Sequence, residues 1–314
     1  MITLLLSIAL AAPPPALQAV LDRGETSLSS VPRGLRPVVL SNLAGGCARE
    51  GDAACVKRAA DLALAIAPWT QERFGDHGLY NTHLAITLDY AVAMGFTEER
   101  PLRDRLVAHL IATSTADPWH NPPSYHGAAQ RWPADQAATL YAIYLADPSA
   151  ARQLLTSWRQ ELHTRGTDPL TGLPVSELTG TVGYAKHPRG CALFWTIAYL
   201  APLDPVGARA LFDASAALLA VQTPFGLAMR EYPEGRDLPE DDDSGPIIAG
   251  IGTASTAFAR AAANAVLAQR ELDALARNDA AVVSVLAWTG PDELIAASSG
   301  PMPASIRYRW YARR

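Results

Sequence analysis

The stretch EDDDSGPIIAGIGTASTAF, Glu240 to Phe258, sets Asp241, Asp242 and Asp243 directly against a run of small apolar residues. Carboxylates act as general acids, general bases or partners of a developing cation. They also cap helices, because the free N–H groups and dipole at a helix start favour negative charge. Taken alone, the aspartate run reads as a cap. Three other stretches raise the chemical alternative, because polar residues also precede apolar helical segments in FGDHGLYNTH, RWPADQAATL and KHPRGCALFW. The four clusters offer Tyr80 and His83; Arg131, Trp132 and Asp135; Tyr184, His187 and Arg189; and Asp241 and Asp243. Asp242 is expected to face elsewhere.

His83 lies within an apolar helical segment, where a lone histidine is ordinarily a satisfied core residue; beside a carboxylate cluster it is equally a candidate acid or base. Tyr125 and His126 follow His120 on the Pro-rich loop WHNPPSYHG, which either covers a pocket or is simply exposed. Other chemistries lack their signatures. There is no H-E-x-x-H or C-x-x-C spacing for zinc, no spaced ligand set for calcium and no G-x-S-x-G elbow. AGIGTAS is not a phosphate loop, since it lacks G-x-G-x-x-G and no strand precedes it. No metal or cofactor is expected. Cys191 beside His187 is open to a nucleophilic role, although a cysteine at a buried helix start is more often packing.

The elements that must position these residues are helical. Apolar spacing predicts helices over Val56–Trp69, Leu79–Met94, Leu102–Thr113, Asp135–Leu145, Pro148–Leu162, Arg189–Leu200, Pro205–Val221, Ser244–Val266 and Asp279–Trp288. Short hairpins are expected near Gly172–Glu177 and Gly226–Tyr232. D-P-x-x-A-R-x-L occurs at Asp147 and again at Asp204, with Asp as N-cap and Pro in the first helical position. G-L-x-x-x-E recurs from Gly172 and Gly226, at nearly the same interval; its Glu177 and Glu231, with Arg230, are further binding candidates. The polar clusters keep that interval too, since Asn81, Pro133, Arg189 and Ser244 follow one another in nearly equal steps. The repeat implies stacked helical hairpins, closing into an all-α, α/α toroid of five to six hairpins. Small-residue helices would then form the inner ring and direct their polar starts at one central pocket.

With 49% apolar and 18% charged residues and a formal charge of −5, the composition is globular. The absence of a Lys/Arg run argues against nucleic acid and anionic membranes as partners. Residues 1–11, ending at Ala11, read as a cleaved signal peptide, because a short apolar stretch precedes a small-x-small site. The chain would be exported to the periplasm or medium, with residues 12–314 as one domain. Cys47 and Cys55 lie in a Gly-rich polar stretch, read as a loop, and are open to either a local disulfide or the reduced state.

The motifs YNTHLAITLDYAVAMG, WPADQAATLYAIYLAD, HPRGCALFWTIAYLAPLDP and DDDSGPIIAGIGTASTAF, in that order, resemble the linalool dehydratase/isomerase-like family, within the six-hairpin glycosidase-like architecture. The resemblance implies that the family's catalytic histidine, in a Tyr-x-x-His-Leu setting, falls on His83, with Tyr80 at its start. The family also uses cysteines near the start of the next inner helix. This chain has none there and carries Asp135 instead.

The expected function is therefore lyase, isomerase or hydratase chemistry on a small hydroxylated substrate. His83 and Asp135 would exchange protons with it, opposed by Asp243 and Asp241. Trp132, Arg131, Tyr184, His187 and Arg189 would position the substrate. A glycoside hydrolase or polysaccharide lyase using Asp135 and Asp243 on a saccharide is the alternative. A non-catalytic binding module is the third reading, and a homo-oligomer stays open.

Overall fold

The computed structural model describes residues 12–69, 73–124, 130–178, 184–236, 238–240, 244–289 and 300–311. Among them are twelve α-helices: α1 (Pro15–Arg23), α2 (Arg36–Arg49), α3 (Ala53–Ala65), α4 (Gly78–Ala93), α5 (Arg100–Ala116) and α6 (Pro133–Ala146), then α7 (Pro148–Arg165), α8 (Gly190–Leu200), α9 (Pro205–Leu219), α10 (Thr253–Ala265), α11 (Gln269–Thr289) and α12 (Pro301–Trp310). Three antiparallel hairpins pair β1 (Glu177–Leu178) with β2 (Tyr184–Lys186), β3 (Ala220–Thr223) with β4 (Gly226–Met229), and β5 (Ile247–Ile248) with β6 (Ile251–Gly252). No helix among the described residues is long and apolar enough to cross a membrane.

Local chemistry sets the helix starts. Asp147 accepts from the amides of Ser149 and Ala150 at 3.0 Å each, and Asp204 accepts from Gly207 at 3.1 Å. Pro148 and Pro205 occupy first-turn positions that need no N–H. Both starts of the repeated D-P-x-x-A-R-x-L motif are therefore built as the sequence predicts.

The even-numbered helices pack in succession: α2 on α4, α4 on α6, α6 on α8, α8 on α10, α10 on α12, and α12 back on α2. The odd-numbered helices pack against the even ones, α3 on α2 and α4, α5 on α4 and α6, α9 on α8, and α11 on α10. Burial follows this division. α8 buries 10 of its 11 residues and α4 buries 12 of 16, so neither has a polar face to turn to water. α7 buries only 5 of 18, the single apolar stripe of a surface helix.

Close approach between even-numbered helices requires glycine in two places. A Cβ on Gly46 of α2 would collide with the Tyr308 ring of α12. One on Gly190 of α8 would collide with the Arg230 carbonyl and with Ser255 Oγ of α10. Between α2, α4, α6, α8 and α12, the buried Arg309 donates to Asn42 Oδ1 and Tyr199 Oη at 3.1 Å each. It also reaches Tyr90 Oη at 3.4 Å, and Tyr90 bonds Tyr141 at 3.0 Å. The last helix is thereby tied to four others by one cation.

Three elements differ from expectation. Ser244 does not open a helix: β5 and β6 come first, with Ala249 and Gly250 both at positive φ (50° and 79°), and α10 starts at Thr253. Gly-Pro and Gly punctuation overrides the apolar run there. Cys47 and Cys55 are not in a loop; they sit on α2 and α3 and are disulfide-bonded. The helices α1, α2 and α12 lie outside the expected set. The predicted leader, residues 1–11, falls outside the described residues, as do Tyr125, His126, Asp241, Asp242 and Asp243.

Candidate active site at the starts of the even-numbered helices

Each even-numbered helix lines one cavity of about 70 Å³, all but α10 by its beginning. Leu35 enters from the start of α2, Leu79 from α4 and Met302 from α12. Trp132, Ala134 and Asp135 come from the N-cap and first turn of α6. Arg189 is the N-cap of α8, Cys191, Ala192 and Trp195 come from α8 itself, and Phe258 from the second turn of α10. The lining is therefore largely apolar, with Asp135 and Arg189 as its charged members among the described residues.

Arg189 is held rigidly. It is 1% exposed, and its Nε donates to Glu231 Oε1 at 3.1 Å; Glu231 is itself fully buried. Ser255 Oγ donates a short hydrogen bond to the other carboxylate oxygen. The backbone locks the same corner, since the Gly190 amide donates to the Glu231 carbonyl at 2.8 Å and Glu231 N to Gly250 O at 3.1 Å. Two buried opposite charges with a third hydrogen bond form a satisfied pair; removing one partner would strand the other at high cost. Arg189 thus presents a fixed cation to the cavity it shares with Asp135. In such apolar surroundings charges interact more strongly than in water.

His83 lies beside the cavity and does not line it. Its ring meets Trp195 edge-on at 5.6 Å and Tyr199 at 6.1 Å. His83 Nδ1 bonds Ser41 Oγ at 2.7 Å, while Ser41 also reaches the Val38 carbonyl at 3.0 Å, and His83 Nε2 is buried with no partner among the described residues. Complete burial, helped by the Arg309 charge, pushes its pKa from 6.5 down to about 3. His83 is a neutral imidazole at any ordinary pH. Trp195 Nε1 is also buried without a partner among the described residues, at a residue that does line the cavity.

The other candidates have different settings. Tyr80 donates its hydroxyl to the Ala63 carbonyl at 2.6 Å and lines a second cavity; burial raises its pKa. Arg131 Nε donates to Asp117 at 2.8 Å and exchanges backbone bonds with Leu178, which fixes the approach to α6. His187 accepts from Arg236 at 2.9 Å, next to the buried Asp168. Glu177 is buried at the start of β1, Arg230 pairs with the exposed Glu234 at 3.7 Å, and Tyr184 is on β2. None of Arg131, His187, Glu177 and Arg230 lines the cavity at the helix starts. Of the sequence candidates, Trp132, Asp135, Arg189 and Cys191 are brought together there, with Glu231 behind Arg189.

Leu35, Leu79, Trp195, Phe258 and Met302 are not among the sequence candidates, because apolar side chains carry no chemical signature. One signal is present in the chain: a further step of similar size from Ser244 reaches Pro301, which opens α12. No group of three or more His, Cys, Asp or Glu among the described residues is placed to hold a metal ion.

The chain matches no protein-family model and no curated protein sequence.

Proposed function

We propose that the chain is an exported α/α toroid whose axial cavity is the active site of an acid/base enzyme of lyase, isomerase or hydratase type. Its substrate is a small, mainly apolar molecule carrying one hydroxyl or its equivalent. The observation that carries this reading is the convergence of the even-numbered helices, five of them by their starts and α10 by its second turn, on an apolar cavity with one carboxylate and one fixed guanidinium among the described residues. A rigid cation and a proton carrier lining the same largely apolar cavity is what charge development at a leaving or arriving oxygen requires. Asp135 moves the proton. Arg189, braced by Glu231, stabilises the negative charge. Trp132, Trp195, Phe258 and Met302 hold the hydrocarbon part.

His83 contributes differently from the proton exchange expected from sequence. It stays neutral and positions Trp195 from behind, with Ser41 fixing its ring. The bonded Cys47 and Cys55 support export to an oxidising compartment. The apolar lining favours this substrate class over a saccharide, whose many hydroxyls would find few partners there.

The test is a screen of short unsaturated alcohols and the matching alkenes, with products resolved by gas chromatography and mass spectrometry. Turnover by the wild type and its loss in Asp135→Asn, with ligand binding retained, supports the enzyme. Binding without turnover of any member makes the protein a binding module.

A further inference from the structure

A second cavity, of about 480 Å³, opens beside the axial one. Leu79 lines both, and Leu35 of the axial cavity sits in sequence between Gly34 and Arg36 of the second. The lining of this outer chamber is unlike that of the inner one. Arg33, Arg36 and His77 line it, with Glu25 as the only acid in the lining among the described residues. Arg33 is exposed and has no acidic partner among the described residues. Arg36 is 14% exposed; its Nε donates to the Val31 carbonyl at 3.2 Å and its Nη1 to Glu25 at 2.5 Å. Glu25 is 61% exposed, so water competes for it and an incoming anion can replace it.

Two further features suit an anion. The starts of α2 and α4 both line this chamber, and helix starts carry partial positive charge, although the first amides of α4, Gly78 and Leu79, already donate to the Pro123 and Ser124 carbonyls. Ser124 also lines it, is 2% exposed, and has a hydroxyl with no hydrogen-bond partner among the described residues. A buried hydroxyl left unpaired costs free energy that a ligand oxygen would recover.

We propose that this outer chamber binds an anionic head group, a carboxylate or a phosphate ester, on the ligand whose apolar part enters the axial cavity. The inference rests on the reading of the axial cavity given above, and it narrows the substrate class to amphipathic acids or phosphate esters. Arg33 and Arg36 take the charge, the Ser124 hydroxyl donates to one oxygen, and Leu79 is the threshold between head and tail.

The test uses the full chain and four probes: sodium hexanoate, hexyl phosphate, 1-hexanol and inorganic phosphate. Calorimetry measures binding, and protection of Cys191 from alkylation reports entry to the axial cavity, which Cys191 lines. The expected result is that hexanoate or hexyl phosphate protects Cys191 at about tenfold lower concentration than 1-hexanol, the size of one charge-assisted contact. The tighter of the two identifies the head group. Arg33→Glu, at an exposed position, should erase that advantage and leave 1-hexanol unchanged, and Ser124→Ala should reduce it. Equal protection by charged and uncharged probes, indifferent to Arg33→Glu, overturns the head-group site while leaving the axial cavity in place. Arg33-dependent binding of the anions with no protection of Cys191 supports the outer site and overturns the axial reading. No binding of any probe overturns both.

Discussion

Acidification should weaken this protein through His83, and the size of the effect follows from its burial. In the unfolded chain a histidine titrates near 6.5, whereas in the folded chain burial and Arg309 hold His83 at about 3. Between these values the unfolded state binds a proton that the folded state refuses, so stability is fully present above about pH 6.5 and falls with each step toward pH 3. At pH 5 the loss from this one group is about 2 kcal/mol, since each pH unit below the unfolded value contributes about 1.4 kcal/mol. Carboxylates titrate over the same range, so the informative quantity is a difference between two proteins. Urea unfolding at pH 7.5 and pH 5 should be measured for the wild type and for His83→Asn, which keeps a polar partner for Ser41. The variant starts less stable, having lost packing against Trp195, yet its stability should fall by about 2 kcal/mol less on acidification. If both proteins lose the same amount, His83 is not a buried neutral group, and its role behind Trp195 is wrong.

Further outcomes concern the cavity and its supports. Asp135→Asn should abolish turnover in the alcohol and alkene screen while shifting the thermal midpoint little, because Asp135 is only partly buried. Glu231→Gln should destabilise the fold by about 3 kcal/mol, since Arg189 would keep its burial and lose its counter-charge, and urea titration reads this directly. Gly190→Ala should cost about 2 kcal/mol or more, because the Arg230 carbonyl that the new Cβ would meet is backbone and has to move. Reducing the Cys47–Cys55 bond, which closes a separation of 8 residues, should cost about 2.5 kcal/mol by the loop-entropy relation, seen as a lower urea midpoint under reductant.

Sequence patterns revealed the helix-rich class and most of the repeat, because Asp-Pro caps and apolar spacing act locally. They failed where a long-range contact decides. Gly45 and Gly46 read as loop residues, yet α2 is a helix in which Gly46 makes room for the Tyr308 ring. α12 carries Pro301 and Pro303 near its start and Arg307 and Arg309 in its last turn, and it shows no clean apolar stripe because it is buried around Arg309. Ser244–Gly252 contains a helix-like apolar run, but Gly245-Pro246 and the Ala249-Gly250 turn make it a hairpin. For the site, Asp135, Trp132 and Arg189 were legible from type and register. Glu231 was visible only as the end of a repeated motif, and its pairing with Arg189 spans 42 residues, a distance no local pattern conveys. His83 was legible as a candidate, but its burial, which sets its protonation, depends on Ser41, Trp195 and Tyr199 from two other helices.

Whether chemistry occurs in the cavity at the starts of the even-numbered helices is tested by filling that cavity. Cys191 lines the cavity and is the one cysteine outside the Cys47–Cys55 bond. Methyl methanethiosulfonate adds a small group to that thiol, with the extent read by mass spectrometry, and a reductant mild enough to spare the disulfide removes it. Turnover should fall in proportion to the modified fraction and return on removal of the group. Full turnover by completely modified, folded protein would place the reaction elsewhere and contradict it.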